Sequence, residues 1–336
     1  MNINNKYKKL IAYSGYYKDN LELLSVASGG AASILAETVI AKGGIVYGAI
    51  YSRDFKRAEY GRFKKNDDLK KFKSSKYISA EKKICVDGKY KSVYIQVAED
   101  LSAGKEVLFT GLGCDVAALK KYIRAEKISD LNLYTIDVIC HGPMPQIIAD
   151  DFINMLEKRY KSKIISFNVK CKKHGWSSNP YIYASFENGR KYEKKFYNTD
   201  YGYAFSKLIK KPCYKCQFKG ENHLADITVG DYWGLQPTMK AWNKYGVSLI
   251  LVRTGKGEEL IKQIDYSKFY YEEADLEFAL EHNPMYWKSK EKDYKAEEFE
   301  RILYTEGLHS AVRKTITFKE NIRRTNIYSF LKKICG

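Results

Sequence analysis

The feature that most limits the fold of this chain is an alternation of short apolar runs with longer runs of helical spacing, which spans most of its first half. A strand is read over residues 10–13, a helix over 30–42 after Ala27-Ser28-Gly29-Gly30, and a strand over Ile45–Tyr51. The pattern returns with a helix near 93–103, a strand over 106–110, the turn Gly111-Leu112-Gly113 and a helix from Cys114 to about Ala125. A strand over 131–139 then ends at Cys140-His141-Gly142-Pro143, and a helix over Gln146–Tyr160 follows. Strand and helix in strict alternation predict an α/β fold with a largely parallel sheet covered by helices.

Past residue 160 the pattern changes. A strand over 164–169 is followed by 181–196, which reads as an antiparallel hairpin around Asn188-Gly189. Residues 201–210 read as a helix, strands are expected over 226–229 and 246–253, and the chain beyond Gly257 is mostly helical and highly charged. The expected division is an N-terminal part of the core (1–104), a second part carrying the key cysteines (105–256) and a helical accessory region (257–336). Near the C-terminus Ile327, Phe330, Leu331 and Ile334, flanked by Lys332 and Lys333, form an amphipathic basic helix. It suits docking onto the core or, as a minority reading, peripheral membrane contact.

Composition narrows the class. With 336 residues, 45% hydrophobic and 29% charged, the chain is neither disordered nor low in complexity. The stretch 29–51, interrupted by Glu37, Lys42 and a glycine pair, is no membrane span, and the N-terminus has no signal-peptide core. A cytoplasmic address is therefore expected. A net charge of +18 favours anionic partners, and residues 53–76 hold ten Lys or Arg against four Asp or Glu. No nucleic-acid motif accompanies that charge, so nucleic acid is not an expected partner.

Cys213 and Cys216 form C-x-x-C, a spacing that lets two thiolates reach one metal ion or cluster. Cys114 follows one predicted strand and Cys140 closes another. If those strands are parallel neighbours, both sulfurs emerge at the carboxyl edge of one sheet, where open α/β folds hold their ligands. Four converging thiolates suit either a structural zinc or a 4Fe-4S cluster. Single cysteines dispersed over a sheet lean toward the cluster. Cys85, Cys171 and Cys335 lack a partner spacing and read as unliganded thiols.

Ser28-Gly29-Gly30-Ala31-Ala32 opens a helix with five small residues, so backbone N–H groups there could meet a pyrophosphate. Equally, Ser28 could cap the helix while the glycines serve packing. The order G-x-G-x-x-G is missing, which disfavours a nicotinamide site. Gly111-Leu112-Gly113 offers a second helix start of the same kind.

Taken in order, several fragments over 24–253 resemble the beta subunits of coenzyme F420 hydrogenases and dehydrogenases, which are iron-sulfur flavoproteins. They include Ala27-Ser28-Gly29-Gly30, Ser74-Ser75-Lys76-Tyr77, Val107-Leu108-Phe109-Thr110-Gly111, Cys140-His141-Gly142, Lys173-His174-Gly175-Trp176, Cys213-Tyr214-Lys215-Cys216 and Asp226-Ile227-Thr228-Val229-Gly230-Asp231-Tyr232-Trp233-Gly234. The resemblance implies FAD near Ser28, Gly29, Gly30, Ser75, Lys76, Tyr77, Thr110 and Gly111. It also implies a 4Fe-4S cluster on Cys114, Cys140, Cys213 and Cys216, with Asp226, Asp231 and Trp233 close by. Where the family has a Thr-Pro-Cys-Gln run, this chain reads Leu112-Gly113-Cys114-Asp115, which keeps the thiol and changes the pocket lining. Larger relatives carry a ferredoxin-like segment ahead of the Ser-Gly-Gly motif, and the 27 residues before Ser28 hold no cysteine.

The expected function is that of an iron-sulfur flavoprotein oxidoreductase passing electrons between cluster, FAD and a small-molecule substrate or deazaflavin coenzyme. An external ferredoxin-like carrier would be its electron partner, docking on the basic stretch 53–76. His141, beside an expected ligand, is the proton-donor candidate. The alternatives are a reductive step in surface-polysaccharide biosynthesis and a non-catalytic, zinc-stabilised basic binding module.

Overall fold

A computed structural model describes residues 10–324. The amphipathic helix read around Phe330, and Cys335, lie outside the described residues. Among the described residues the strands are β1 (Ile11–Tyr17), β2 (Ile45–Tyr51), β3 (Ala58–Phe63), β4 (Ala80–Val86), β5 (Lys89–Ser92), β6 (Val107–Gly111), β7 (Leu133–Val138), β8 (Ile164–Cys171), β9 (Tyr181–Phe186), β10 (Lys191–Lys195), β11 (Ile227–Asp231), β12 (Ser248–Val252) and β13 (Phe269–Glu273).

Ten of these strands form one sheet in the order β13-β1-β12-β11-β7-β6-β2-β3-β4-β5. Its centre, β11-β7-β6-β2, is parallel throughout. Antiparallel pairs flank that centre, with β12, β1 and β13 on one side and β3 against β2 on the other. The fold is α/β, as the alternation of strand and helix predicts. The remaining strands, β8, β9 and β10, form a separate antiparallel sheet whose hairpin turns at Asn188-Gly189.

The period-two geometry of the central strands sends neighbouring side chains to opposite faces. Ile45, Tyr47, Val107 and Phe109 pack with Val97, Leu119, Ile148 and Phe152, under the helices Val93–Ser102, Gly113–Ala125 and Gln146–Tyr160. Val46, Leu108, Ile136 and Ile227 pack instead with Leu35, Val39 and Leu260, under the helices Ala31–Ala41 and Gly255–Ile261. Strands that bury both faces must be apolar at every position, and Val107, Leu108 and Phe109 are each fully buried.

The chain beyond 257 is mostly helical, as expected, and two segments hold elements that the sequence reading did not place. The basic stretch 53–76 contains β3 and the short 3-10 helix Asn66–Lys71, and the region beyond 257 returns β13 to the main sheet beside β1. The boundaries at 104 and 256 therefore separate no sheets, since strands from all three segments share one.

Candidate functional site

The parallel strands β6, β7 and β11 all end at the same edge of the sheet. Thr110 and Gly111 close β6, Cys140 to Pro143 follow β7, and Asp231 ends β11. These termini line a cavity of about 660 Å³, joined by Ser28, Ser75, Lys76, Tyr77, His141 and Trp233. The site therefore lies at the carboxyl edge of the strands, where side chains from separate loops can converge. Its loops are held in unusual backbone conformations. Ser28, Ser74 and Tyr77 have φ of 53°, 76° and 57°, which non-glycine residues adopt only when the surroundings impose it.

The helix start at Ala31 is partly occupied by the protein itself. Gly29 N–H and Ala31 N–H donate to Ser248 Oγ at 3.0 and 3.3 Å. A Cβ on Gly29 would lie 1.9 Å from the Gly15 carbonyl oxygen, and one on Gly30, where φ is +93°, would lie 2.5 Å from the Tyr17 ring. Packing against β1 and β12 therefore explains both glycines. Gly30 and Ser28 still line the cavity, whereas Gly29 lies behind its wall. Any anion held here meets Ala32, Ser33 and the Ser248 hydroxyl, which line the cavity, in place of a bare glycine loop.

The floor carries a buried ion pair. Lys170, 7% exposed, forms an ion pair with Asp231, and its Nζ stands 5.9 Å from the Trp233 ring centre. Burial alone would depress the Lys170 pKa, but the Asp231 carboxylate reverses this and holds it above its ordinary value. Burial likewise works against ionised Asp231, and Lys170 together with Trp176 Nε1–H, 3.1 Å away, keeps it below the usual carboxylate range. Trp176 and Trp233 stack at 5.0 Å between ring centres. Lys172, 1% exposed, donates to the Ser28 carbonyl, and burial followed by the charge of Lys170 pushes its pKa down to about 7.

Lys76 occupies the opposite wall. Its Nζ donates to the carbonyls of Phe72, Lys73 and Ser74 at 2.9, 3.1 and 2.9 Å. Burial pushes its pKa down to about 7, while only the ammonium form can supply all three donors at once. Tyr77 and His141 both pack on Phe205, at 4.7 and 4.2 Å between ring centres. Burial pushes His141 down to about 4, so its imidazole is neutral at neutral pH and works as an aromatic wall with one N–H.

The four cysteines group beside this cavity. Cys140 lines it, and Gly142 N–H points to Cys140 Sγ at 3.3 Å. Burial, and further down the neighbouring Cys213 and Cys216, push the Cys140 thiol up to about 11. Cys114 keeps an exposed face, yet packing around its sulfur and then the Asp115 carboxylate push it up to about 12, with Cys140 and Cys213 adding smaller contributions. Cys140 and Cys213 thus lie near enough to act on Cys114, and Cys213 and Cys216 near enough to act on Cys140. As placed, no three or more His, Cys, Asp or Glu among the described residues stand close enough to hold a metal ion. The donor set and its clustering suit a thiolate-bound metal or cluster; closure would require the thiols to ionise and draw together. Lys219, between the loops, donates to the carbonyls of Cys140 and Met285. Cys85 on β4 and Cys171 at the end of β8 stand outside this group.

Besides Gly29, one further expected cofactor contact does not line the cavity. Asp226 precedes β11, at the far end from Asp231. Its carboxylate accepts from Thr135 N–H (2.8 Å), Thr135 Oγ1 (2.6 Å) and Thr254 Oγ1 (2.7 Å). Both oxygens are used in tying β7 and β11 to the helix Gly255–Ile261, which makes Asp226 a structural clamp. Conversely, Lys170 and the segment His282 to Met285 line the cavity although nothing in their spacing pointed there. His282 packs on Gly234 and its Nδ1 lies 2.9 Å from the Phe278 carbonyl. Asp115 occupies the second helix start, 2.6 Å from Lys82 Nζ and accepting from Tyr60 OH (3.0 Å) and Leu112 N–H (3.2 Å). That carboxylate caps the helix start and sets a negative charge against any anion at Gly111-Leu112-Gly113.

Comparison with known proteins agrees with this architecture. The chain resembles one protein in the structure of the xenon-derivatised F420-reducing [NiFe] hydrogenase complex from Methanosarcina barkeri, with a TM-score of 0.52 over 91% of each chain. At 16% identity that likeness speaks to the fold. No curated protein matches the sequence. Residues 104–277, more than half of the 336, match the family described as the C terminus of the coenzyme F420 hydrogenase/dehydrogenase beta subunit. That match takes in the ends of β6, β7 and β11 and all four grouped cysteines, and by it the chain belongs to the coenzyme F420 hydrogenase/dehydrogenase beta subunit family.

Proposed function

We propose that the protein is an oxidoreductase that holds a flavin in the carboxyl-edge cavity and a 4Fe-4S cluster on Cys114, Cys140, Cys213 and Cys216. The observation that carries this reading is the double position of Cys140, which lines the cavity and belongs to the group of four thiols. A flavin there would supply exchange between two-electron and one-electron chemistry, and a cluster would supply single-electron relay. The family supports a deazaflavin coenzyme as the two-electron partner, and a small substrate of another kind would enter by the same cavity.

The chain's own residues give the site its character. Ser33 and Ser248 offer hydroxyls to an occupant at the Ser28 end, and Lys170 meets it as one half of an ion pair with Asp231. Trp233 and Tyr77 add aromatic surface to the lining, and Thr110 Oγ1 is tied to the Tyr47 carbonyl at 3.0 Å. His141, kept uncharged by burial, offers an occupant one hydrogen bond through its neutral N–H, and that burial argues against it as the proton donor.

Anaerobic purification tests this directly. A yellow-brown protein with about four iron atoms per chain and bound flavin is expected. A colourless protein with stoichiometric zinc and no flavin would leave the zinc-stabilised binding module in its place.

A further inference from the structure

We infer that the protein docks an acidic, one-electron carrier protein on a collar of lysines around the C-x-x-C loop, and not on the basic stretch 53–76. The inference deepens the proposed function and rests on it for the carrier's redox character.

Between Lys207 and Lys219 the chain holds five lysines and no carboxylate, and residues 288–292 add three more against one Glu. The two segments meet at the cysteines. Cys216 N–H donates to Ser289 Oγ at 3.0 Å, and Lys219 Nζ reaches the Cys140 and Met285 carbonyls. The charge of Lys290 acts on His141 and that of Lys292 on Tyr214. Lys210, Lys211, Lys215, Lys288 and Lys292 are all exposed. Lys211 lies 3.5 Å from Glu300 and Lys292 pairs with Glu297, whereas Lys210, Lys215 and Lys288 make no ion pair with a described residue.

The stretch 53–76 is differently employed. Arg57 pairs with Asp150, Arg62 with Asp100 and Lys73 with Glu22, while Lys76 is buried. Four of its ten cations are thus used within the protein, and the exposed Lys64, Lys65, Lys70 and Lys71 are interleaved with Asp67 and Asp68 and lie away from the grouped cysteines. The lysine collar instead borders the thiol group, of which Cys114 is exposed. A surface of net positive charge beside the route to a redox centre recruits a partner of the opposite sign by long-range attraction that salt screens.

The test is binding of a purified acidic ferredoxin, measured by calorimetry across a salt series, with iron and flavin determined on every sample. Wild-type affinity is expected to fall at least about tenfold between low and physiological salt. The triple variant Lys211→Glu, Lys288→Glu, Lys292→Glu, outside the C-x-x-C loop itself, should bind at least about tenfold more weakly at low salt while retaining wild-type iron and flavin. Lys65→Glu, Lys70→Glu, Lys71→Glu should bind as wild type. Equal binding by the first triple variant, loss confined to the second, or preferential binding of a nucleic-acid duplex would each overturn the docking surface. Collar-dependent binding by a protein without iron would keep the surface and reject the cluster.

Discussion

Lys170 and Asp231 show how single residues set the character of the cavity. Each is a charge that its own burial opposes, and each is kept ionised by the other. Removing one partner leaves the second buried without compensation, so Lys170→Met is expected to destabilise the protein by about 3–5 kcal/mol, read from chemical denaturation. A loss below about 1 kcal/mol would mean that the pair is solvated. Gly29 makes a second prediction at this scale. Any Cβ there meets the Gly15 carbonyl, so Gly29→Ala should lower stability by about 3 kcal/mol whether or not flavin is bound. A variant that folds with wild-type stability and loses only flavin would restore the glycine to a phosphate-binding role.

At the scale of elements, the last described helix, Phe318–Arg324, is fastened by the buried cation Lys207 and by an Arg324–Asp200 ion pair. Lys207, at the end of the helix Asp200–Lys207, donates to Asp293 (3.0 Å) and Glu320 (2.8 Å). Burial works against ionised Glu320, but Lys207 and then Thr317 outweigh it and hold its pKa down to about 2 from an ordinary 4.5. Because the folded-state value is depressed, this stabilisation is complete above about pH 4.5 and is lost as pH falls toward 2. Glu320→Gln should therefore cost about 1 kcal/mol near neutral pH, after discounting for partial exposure, and nothing near pH 2. The difference in denaturation midpoints across that range checks it, and a pH-independent cost would reject the pairing.

The same scale shows what could be read from sequence. The central strands and the helices Ala31–Ala41 and Gln146–Tyr160 were legible because each carries an uninterrupted apolar or 3.6-residue pattern. β5, Lys-Tyr-Lys-Ser, and β13, with its tyrosines and glutamates, carry no such pattern, because they are the outermost strands of the large sheet. Lys170 and His282 were hidden for another reason: they reach the cavity only through the placing of the small sheet and of the segment after β13.

For the whole molecule, the parallel centre of the sheet is what joins three loops distant in sequence into one cavity edge. Asp226 illustrates the limit of motif reading, since it belongs to the same run as Asp231 and Trp233 but sits at the opposite end of β11. The central claim is that Cys114, Cys140, Cys213 and Cys216 form one ligand set against the flavin cavity. Iron content of anaerobically prepared single Cys→Ser variants tests it most directly. Loss of iron is expected at each of these four positions, with wild-type iron in Cys85→Ser and Cys171→Ser. Full iron retention in Cys140→Ser would contradict the account.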